Sequence, residues 1–310
     1  MCRKVAVVGG GITAGLAAYM LASDNDITLF LPIQKTSSPI PELVPRQPFF
    51  RSVINSDVIE EIIVNSVVPS VCEVTTDIDS VRCSLNLCSN ADYLVYDKGR
   101  LATWLIEAAG IRQPVHEDIA RIADVTGFDW VLDCRGSKAV RRDPNYDHFE
   151  LAQPLTACTY VIAGRPTSCS SQEMNFWNIA GMPDSREKTF FYVPVGEDGI
   201  SVGCSHTPDL QVSTDDVIRA ARQQGIEVRK DTIRYCGTEK PGRCAANSKQ
   251  PEIIPLGEAR ESSCPLTEYG VLKALSHIIE LQGGAAIPQK VIQRPVLSQV
   301  DPHIPLELLP

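Results

Sequence analysis

Apolar and polar residues at the start of the chain follow the order expected for a strand, a helix and a second strand. Residues 4–8 (KVAVV) form a nearly continuous apolar run, which is typical of a strand buried on both faces. After three glycines, apolar residues recur at helical spacing, beginning with Ile12 and Leu16. A second apolar run at residues 27–31 is stopped by Pro32. The pattern therefore predicts a β-α-β unit at the N-terminus.

The same pattern predicts a mixed set of elements further along the chain. Between residues 151 and 240 strand-like runs dominate, and only residues 215–223 are predicted to be helical. The remaining predicted elements are helices at 58–64, 99–109 and 268–281 and strands at 80–87, 93–96, 128–133, 158–163, 189–195, 200–203 and 253–256. This distribution predicts an α/β fold with a sheet-rich middle section.

Composition and charge narrow the classes of function. The chain has 310 residues with 29 basic and 38 acidic side chains, a formal charge of −9. The acidic balance argues against a nucleic-acid or anionic-membrane partner, because both bind basic surfaces. No apolar run approaches the roughly 20 residues of a membrane span, and no secretory signal pattern precedes the first glycines. Eleven cysteines without CxxC spacing indicate reduced thiols, and five scattered histidines argue against a metal site. We therefore expect a cytoplasmic protein.

A glycine-rich segment joins the first predicted strand to the first helix. It reads Gly9-x-Gly11-x-x-Ala14, with Gly15 directly behind it. In a dinucleotide site the first glycine permits the tight turn, the second lets the backbone approach the pyrophosphate, and the third small residue allows close helix packing. The start of the helix adds unpaired N–H groups and a positive dipole end. The alternative is a purely structural turn. The cofactor-binding residues predicted here are Gly9, Gly11, Ile12, Thr13, Ala14 and Gly15.

One usual feature of dinucleotide sites is missing from the sequence. An acidic residue normally ends the second strand, about 20 residues beyond the glycines, and binds the adenosine ribose. Leu31 occupies this place, while Asp24 and Asp26 precede the strand. An arginine suited to a 2′-phosphate is also missing at this point. We expect either that another group such as Gln34 or Lys35 binds the ribose, or that binding is weak.

Three later segments point to one class of nucleotide-binding protein. They read Asp97-x-x-Arg100, Asp133-Cys134-Arg135-Gly136, and Gly257-Glu258-Ala259 followed by Pro265-Leu266 and Gly270. In this order, and with the N-terminal unit, they resemble the FAD-dependent monooxygenase and halogenase superfamily. The likeness is nearest to the flavin-dependent tryptophan halogenases and related single-component-like oxygenases, and this chain would be a short and divergent member of the superfamily. It spans nearly the whole sequence.

The resemblance implies FAD as cofactor and the layout of the aromatic hydroxylases. In that layout a Rossmann-like FAD-binding domain carries an inserted, sheet-rich substrate domain. The implied boundaries are 1–40, 91–150 and 245–285 for the discontinuous FAD-binding domain, 41–90 and 151–244 for the substrate domain, and 286–310 for a C-terminal arm.

The resemblance also assigns roles to single residues. Glu258 stands where the family has an aspartate, and it is expected to hydrogen-bond the FAD ribityl chain or to reach a phosphate through water. The helix that starts near Gly270 is expected to direct its positive end at the flavin N1/O2 edge. Arg46 or Arg51 is expected to reach the pyrophosphate. The other cofactor-binding residues implied are Arg100, Gly136, Gly257, Leu266 and Tyr269.

Two departures from the halogenases change the expected chemistry. The halogenases use a lysine after their first excursion, whereas this chain has no lysine between Lys35 and Lys98. Their tryptophan-rich stretch corresponds to residues 189–194 (TFFYVP) here. Halogenation is therefore disfavoured. A second glycine fingerprint for NAD(P)H is also missing, so we expect either transient NAD(P)H binding or a separate flavin reductase.

The expected function is that of an FAD-dependent oxidoreductase, specifically a monooxygenase that uses a flavin hydroperoxide on a small organic substrate, for example an aromatic one. The candidate catalytic groups are His206 as a general base, Tyr192 on a strand suited to stacking, and Cys264 beside the flavin. Their simpler interpretations are a surface histidine, a core tyrosine and an inert thiol. The alternative functions are a flavin-dependent oxidase or dehydrogenase, a non-redox cyclase, and a non-catalytic flavin-binding accessory protein.

Overall fold

Buried apolar runs from both ends of the chain pair into a five-stranded parallel sheet. The computed structural model describes residues 2–33, 41–45, 73–78, 81–86, 93–152, 157–170, 173–179, 188–195, 198–239, 243–261 and 270–288. The strands of this sheet are β1 (Lys4–Val8), β2 (Asp26–Leu31), β7 (Val115–His116), β8 (Trp130–Asp133) and β16 (Ile253–Pro255). Their order is β16-β8-β1-β2-β7, and every pair is parallel. Three distant stretches of sequence thus build one sheet.

Apolar side chains cover both faces of the parallel sheet. The described helices are α1 (Ile12–Leu21), α2 (Lys98–Ala108), α3 (Ser137–Val140), α4 (Thr214–Gln223) and α5 (Gly270–Leu281). On one face α1 packs against α2 and α5 around a core that includes Leu16, Leu105 and Leu272. On the other face Val8 and Val131 pack in a second core. A sheet covered on both faces explains why its strands read as continuous apolar runs.

A second sheet of seven strands is mainly antiparallel. Its order is β14 (Ile233–Glu239), β10 (Ala157–Gly164), β13 (Gly199–His206), β12 (Lys188–Val195), β11 (Glu173–Trp177), β4 (Glu73–Ile78) and β5 (Val81–Asn86). The β11–β4 pair is parallel. Helix α4 packs on one face of this sheet through Val217, Ala220 and Ala221. It begins with a capping box formed by Ser213 and Asp216, which explains its sharp start.

Two short antiparallel pairs complete the described strands. One joins β3 (Pro41–Pro45) to β6 (Tyr93–Asp97), and the other joins β9 (Tyr146–Ala152) to β15 (Arg243–Ser248). Strand β6 runs directly into α2, and β3 also contacts β12 of the large sheet. The β3–β6 pair therefore links the two main sheets.

The predicted fold class is confirmed, because a Rossmann-like parallel sheet and a separate sheet-rich section are both present. The helix predicted at 99–109 is α2, and the one predicted at 268–281 is seen as α5 from Gly270 onward. The helix predicted at 58–64 lies outside the described residues. The pattern did not predict β3, β4, β7, β9, β11, β14 or β15. The proposed domain boundaries stay a prediction.

The described residues also bear on membranes, metals and disulfides. In this part of the chain, the helices are too short or too polar to cross a membrane. Within the same ranges, His, Cys, Asp and Glu side chains form no cluster of three that could hold a metal ion. The six cysteines whose side chains are described are free thiols.

Candidate nucleotide-binding cleft

A cleft of about 460 Å³ opens at the carboxyl edge of the parallel sheet. Its walls are the turn after β1, the start of α1, the end of β2, the loop after β7, the turn after β8, and residues before and at the start of α5. Ligands of open parallel sheets bind at this edge, where connections on either side of one strand run to opposite faces. The cleft therefore lies where the glycine pattern places a nucleotide.

Gly9 and Gly11 shape the first wall of the cleft for different reasons. Gly9 has a φ of 141°, and a Cβ on it would lie 2.5 Å from the carbonyl oxygen of Cys134. Glycine is therefore required at this position both by its backbone conformation and by the close approach of the turn after β8. A Cβ on Gly11, in contrast, would meet no atom within 4 Å. Gly11 leaves open space in front of the helix that follows.

The N-terminus of α1 is exposed to the cleft without a side-chain cap. Gly11 is the N-cap residue, and the first turn contains no acidic residue. The first N–H groups of a helix have no partner within the helix, and they carry its positive dipole end. Ile12 and Thr13 line the cleft, whereas Ala14 is buried behind them. This arrangement suits a phosphate group.

Gly15 has a different neighbour from the one predicted. A Cβ on Gly15 would lie 3.0 Å from the carbonyl oxygen of Ala102 and 3.1 Å from Cβ of Leu105, and both residues belong to α2. The small residue thus allows two helices, rather than a helix and a strand, to pack closely. It supports the cleft without lining it.

The turn after β8 is held by a buried network around Arg135. The guanidinium donates from Nε and Nη2 to the two carboxylate oxygens of Asp133, at 3.0 and 2.8 Å, and from Nη2 to Asp143 Oδ2 at 2.6 Å. Tyr146 donates its hydroxyl proton to Asp133 Oδ2 at 2.7 Å. Both carboxylates are fully buried, and the Arg135 side chain is 7% exposed. The network is fully paired, so Arg135 is a structural residue of the cleft wall.

The charges in this network stabilise one another's ionised forms. Burial alone would raise the pKa of Asp143, but hydrogen bonds from Arg135 and from the backbone of Ile122 and Asn145 bring it below its usual value. Burial alone would lower the pKa of Arg135, and the hydrogen bond and charge of Asp133 raise it instead. Arg135 therefore stays protonated at any pH at which the protein is folded.

Arg135 also fixes the loop on the far side of the cleft. Its Nη1 donates to the carbonyl oxygens of Ile119 and Ala120, at 2.9 and 3.0 Å. Within the same loop, Asp118 accepts the N–H of Ile33 at 3.0 Å, and the N–H of Glu117 donates to the carbonyl oxygen of Leu31 at 2.9 Å. All four loop residues, 117–120, line the cleft. The loop is thus fastened to β2 at one end and to the turn after β8 at the other.

A buried histidine on α5 holds the late Gly-Glu segment. The N–H of Gly257 donates to Nδ1 of His277 at 3.1 Å, and the His277 side chain is 7% exposed. Burial, and after it the charge of Arg260, lowers the pKa of His277 to about 4. The ring is therefore neutral near pH 7, with its proton on Nε2. Gly257 has a φ of 57°, and Glu258 lines the cleft directly after it.

The remaining predicted cofactor residues divide into those at the cleft and those elsewhere. Gly136 and Gly270 line it. Arg100 is exposed on α2, and Lys98, two residues earlier, lines the cleft. Arg51, Leu266 and Tyr269 lie outside the described residues, as does the candidate catalytic residue Cys264. Cys134 lines the cleft as a protonated thiol, since burial raises its pKa well above the usual value.

The other two catalytic candidates lie away from the cleft, on the side of the seven-stranded sheet that faces α4. His206 is 3% exposed, with Nε2 3.2 Å from Thr159 Oγ1 and Nδ1 2.8 Å from the carbonyl oxygen of Thr207. Tyr192 donates its hydroxyl proton to the carbonyl oxygen of Ser170, and burial raises its pKa. Both side chains are engaged in structural contacts.

Sequence reasoning missed several residues that form the cleft. The loop at 117–120 follows a strand of only two residues, which is too short to give a recognisable pattern. His277 gave one usable signal, because it falls on the apolar face of a predicted helix between Ala274 and Ile278. Lys98 was used only to assess halogenation, and it was not predicted as a residue of the cleft.

The fold is shared with several solved structures. No family model matches the sequence, and no curated protein was found to be similar to it. A variant of 2-methyl-3-hydroxypyridine-5-carboxylic acid oxygenase matches with a TM-score of 0.62 at 13% identity, over 94% of this chain and 85% of that chain. Tetracycline destructase Tet(51) matches with a TM-score of 0.60 at 13% identity, over 91% and 81%. CtdE in complex with FAD matches with a TM-score of 0.60 at 15% identity, over 89% and 82%.

These comparisons establish the class of fold. At identities of 13–15%, these similarities show the fold alone. Each of them covers about nine-tenths of this chain. The chain shares its fold with an oxygenase and with a protein solved in complex with FAD, which confirms the fold expected from the sequence motifs.

Proposed function

We propose that this chain is an FAD-dependent oxidoreductase, and specifically a monooxygenase acting on a small organic substrate. The observation that carries the proposal is the uncapped N-terminus of α1, which opens through Gly11 onto a cleft at the carboxyl edge of the parallel sheet. The same fold is found in CtdE, which was solved in complex with FAD. Two other proteins with this fold are named as an oxygenase and a dihydroxylase.

The described residues fit FAD at both ends of the cleft. The first-turn N–H groups of α1 and the charge of Lys98 suit the pyrophosphate. Glu258 and the start of α5 at Gly270 also line the cleft, where a helix N-terminus would stabilise negative charge on a reduced ring. FAD, when bound and reduced, supplies the electrons that activate dioxygen. The protein then has to hold the cofactor and substrate in place and to keep water out.

The face of the seven-stranded sheet opposite α4 is the proposed substrate surface. Phe191 lies on this face above Gly203, where a Cβ would come within 2.2 Å of the ring. Phe176 lies beside Phe191 at 6.5 Å between ring centroids. The alternation of β13 places Ser201 and Ser205 on the same face, and among the described residues their buried hydroxyl oxygens have no hydrogen-bond partner. An aromatic surface next to unpaired hydroxyl groups favours a planar substrate with polar substituents.

Strands β3 and β6 connect the proposed substrate surface to the cleft. Strand β3 contacts β12, which carries Phe191, and pairs with β6. Strand β6 leads directly to Lys98 at the cleft. The source of electrons stays a proposal, either NAD(P)H bound transiently or a separate reductase. The free thiols of the described cysteines support the cytoplasmic location inferred from composition.

A measurement of oxygen transfer tests the proposed reaction class. The purified protein is loaded with FAD, reduced without air, and mixed with isotopically labelled dioxygen and a panel of hydroxylated aromatic and N-heterocyclic compounds. The proposal predicts a product that carries label from dioxygen. Stoichiometric hydrogen peroxide with an oxidised, unlabelled product would support the oxidase alternative. An isomerised product with no oxygen consumed would support the cyclase, and slow reoxidation with every compound unchanged would support the accessory protein.

A further inference from the structure

The end of β2 lacks the group that usually binds the adenosine ribose. In dinucleotide sites of this fold an acidic residue occupies that place. Here the last residue of β2 is Leu31, and Pro32 and Ile33 follow it. Both Phe30 and Pro32 line the cleft, so the end of β2 is part of the site although it offers no carboxylate.

The neighbouring strand brings a carboxylate to the same level. Phe30 and Leu31 of β2 pair with Val115 and His116 of β7, and Glu117 is the first residue after that strand. The N–H of Glu117 continues the ladder by donating to the carbonyl oxygen of Leu31 at 2.9 Å. Neighbouring strands are about 4.8 Å apart. Glu117 therefore lies about one inter-strand spacing across the sheet from the expected position of the ribose-binding acid, and it lines the cleft.

The loop that carries Glu117 is held firmly enough to present a side chain. Asp118 directs Oδ1 to the N–H of Ile33, which ties the loop to the residue after β2. Arg135 donates to the next two carbonyl oxygens of the loop, at 2.9 and 3.0 Å. Among the described residues, the Glu117 carboxylate has no hydrogen-bond donor, whereas that of Asp118 is already engaged. Glu117 is thus the acidic group of this loop that remains available to a ligand.

We propose that Glu117 binds the hydroxyl groups of the adenosine ribose in place of an acidic residue at the end of β2. The proposal rests on the proposed FAD-binding function and adds to it a residue and a selectivity. A carboxylate accepts hydrogen bonds from both ribose hydroxyls and repels a 2′-phosphate. The cleft is therefore selective for adenosine nucleotides without a 2′-phosphate, and part of the affinity for FAD resides in its ADP half.

Ligand binding to the Glu117→Gln variant tests this assignment without any measurement of activity. Dissociation constants are measured by calorimetry for FAD, ADP, 2′-deoxy-ADP and FMN. A neutral amide oxygen accepts a weaker hydrogen bond than a carboxylate does, so E117Q is expected to weaken the binding of both FAD and ADP by about tenfold. FMN, which has no adenosine, should bind equally to both proteins. The wild-type preference for ADP over 2′-deoxy-ADP should be smaller in the variant, because the amide oxygen accepts a weaker hydrogen bond than the carboxylate.

A matched control variant and two outcomes that would contradict the proposals complete the test. Glu107→Gln removes an exposed carboxylate from α2 outside the cleft, and it should leave all four constants unchanged. Thermal unfolding of both variants verifies that the fold is retained. If the wild type binds FAD tightly and E117Q binds FAD and ADP equally well, the assignment of Glu117 is wrong while the FAD proposal stands. If the wild type binds neither FAD nor ADP, the proposed function itself is wrong, and the assignment falls with it.

Discussion

His277 makes the stability of the protein depend on pH. Its Nδ1 accepts the N–H of Gly257, and its side chain is almost completely buried. Arg260 and Lys273 oppose a positive charge on the ring, while Glu280 and Glu261 favour it. Burial is the largest influence, and the balance lowers the pKa from 6.5 to about 4. Protonation would place a charge in the core and remove the acceptor that holds Gly257.

The sign of the effect follows from the two pKa values. In the unfolded chain His277 takes up a proton near pH 6.5, and in the folded protein it does so only near pH 4. Between these values the unfolded state binds more protons, so the free energy of unfolding falls as the pH falls. The contribution is complete above pH 6.5. Lowering the pKa to about 4 corresponds to a loss of about 3 kcal/mol by the time the pH reaches 4.

The variant His277→Asn separates this effect from the titration of other groups. Asparagine places an oxygen near the position of Nδ1, so an acceptor for Gly257 is kept, but the side chain does not titrate. We expect the unfolding free energy of the wild type, measured by urea denaturation, to fall by about 3 kcal/mol more than that of H277N between pH 6.5 and 4. Parallel pH profiles for the two proteins would refute the reasoning. His277→Leu, which leaves the Gly257 N–H unpaired, should cost about 1–3 kcal/mol even at neutral pH.

Two further substitutions test the walls of the cleft. Gly9→Ala should lower the free energy of unfolding by more than about 1–3 kcal/mol, because its φ is strained for alanine and its Cβ would collide with a carbonyl oxygen. Gly127 is the control, since it has a φ of 86° but open space around it. Gly127→Ala should therefore show only the cost of the strained backbone, about 1–3 kcal/mol. If urea denaturation shows the same loss of unfolding free energy for both variants, the close approach of the Cys134 carbonyl oxygen to Gly9 is contradicted. Arg135→Met removes the counter-charge of the buried Asp133 and Asp143 carboxylates and should cost about 3–5 kcal/mol at neutral pH. A loss below about 1 kcal/mol would show that the ion network contributes little.

Elements with strong local patterns could be predicted from the sequence. The apolar runs of β1 and β2 and the glycines between them mark the β-α-β unit, because burial on both faces demands continuous apolar strands. Helix α4 was predicted within one residue of its start, where Ser213 and Asp216 form a local capping box. Strands β3 and β15 were missed because short strands pair with partners distant in sequence, and nothing in their own residues specifies those partners.

Some features of the candidate site could be predicted from local sequence, and others could not. The glycine turn was predictable because a pyrophosphate dictates residue types at fixed local spacing. The proposed replacement of the ribose-binding acid by Glu117, the residue after β7, was not predictable, since it depends on which strand lies beside β2. The contacts of Arg135 and His277 join residues that are up to 20 positions apart, and only the folded structure brings them together. Sequence motifs thus predicted a cofactor site at the cleft, whereas the residues that support the cleft walls came from tertiary packing.

The most direct test of the central claim compares FAD binding and stability in one variant. Gly11 has an extended backbone with φ of −92°, and a side chain there would enter open space in front of α1. Gly11→Asp therefore supplies a preferred N-cap and should leave stability unchanged or raise it by a few tenths of a kcal/mol. Its carboxylate would occupy the proposed pyrophosphate position and repel the phosphates.

The measurement is a titration of FAD against the wild type and G11D, followed by the quenching of flavin fluorescence. We predict one FAD bound per wild-type chain and at least about a tenfold weaker affinity in G11D, with unfolding free energies that agree within about 0.5 kcal/mol. A wild-type protein that does not bind FAD, or a folded G11D that binds it equally well, would contradict the account.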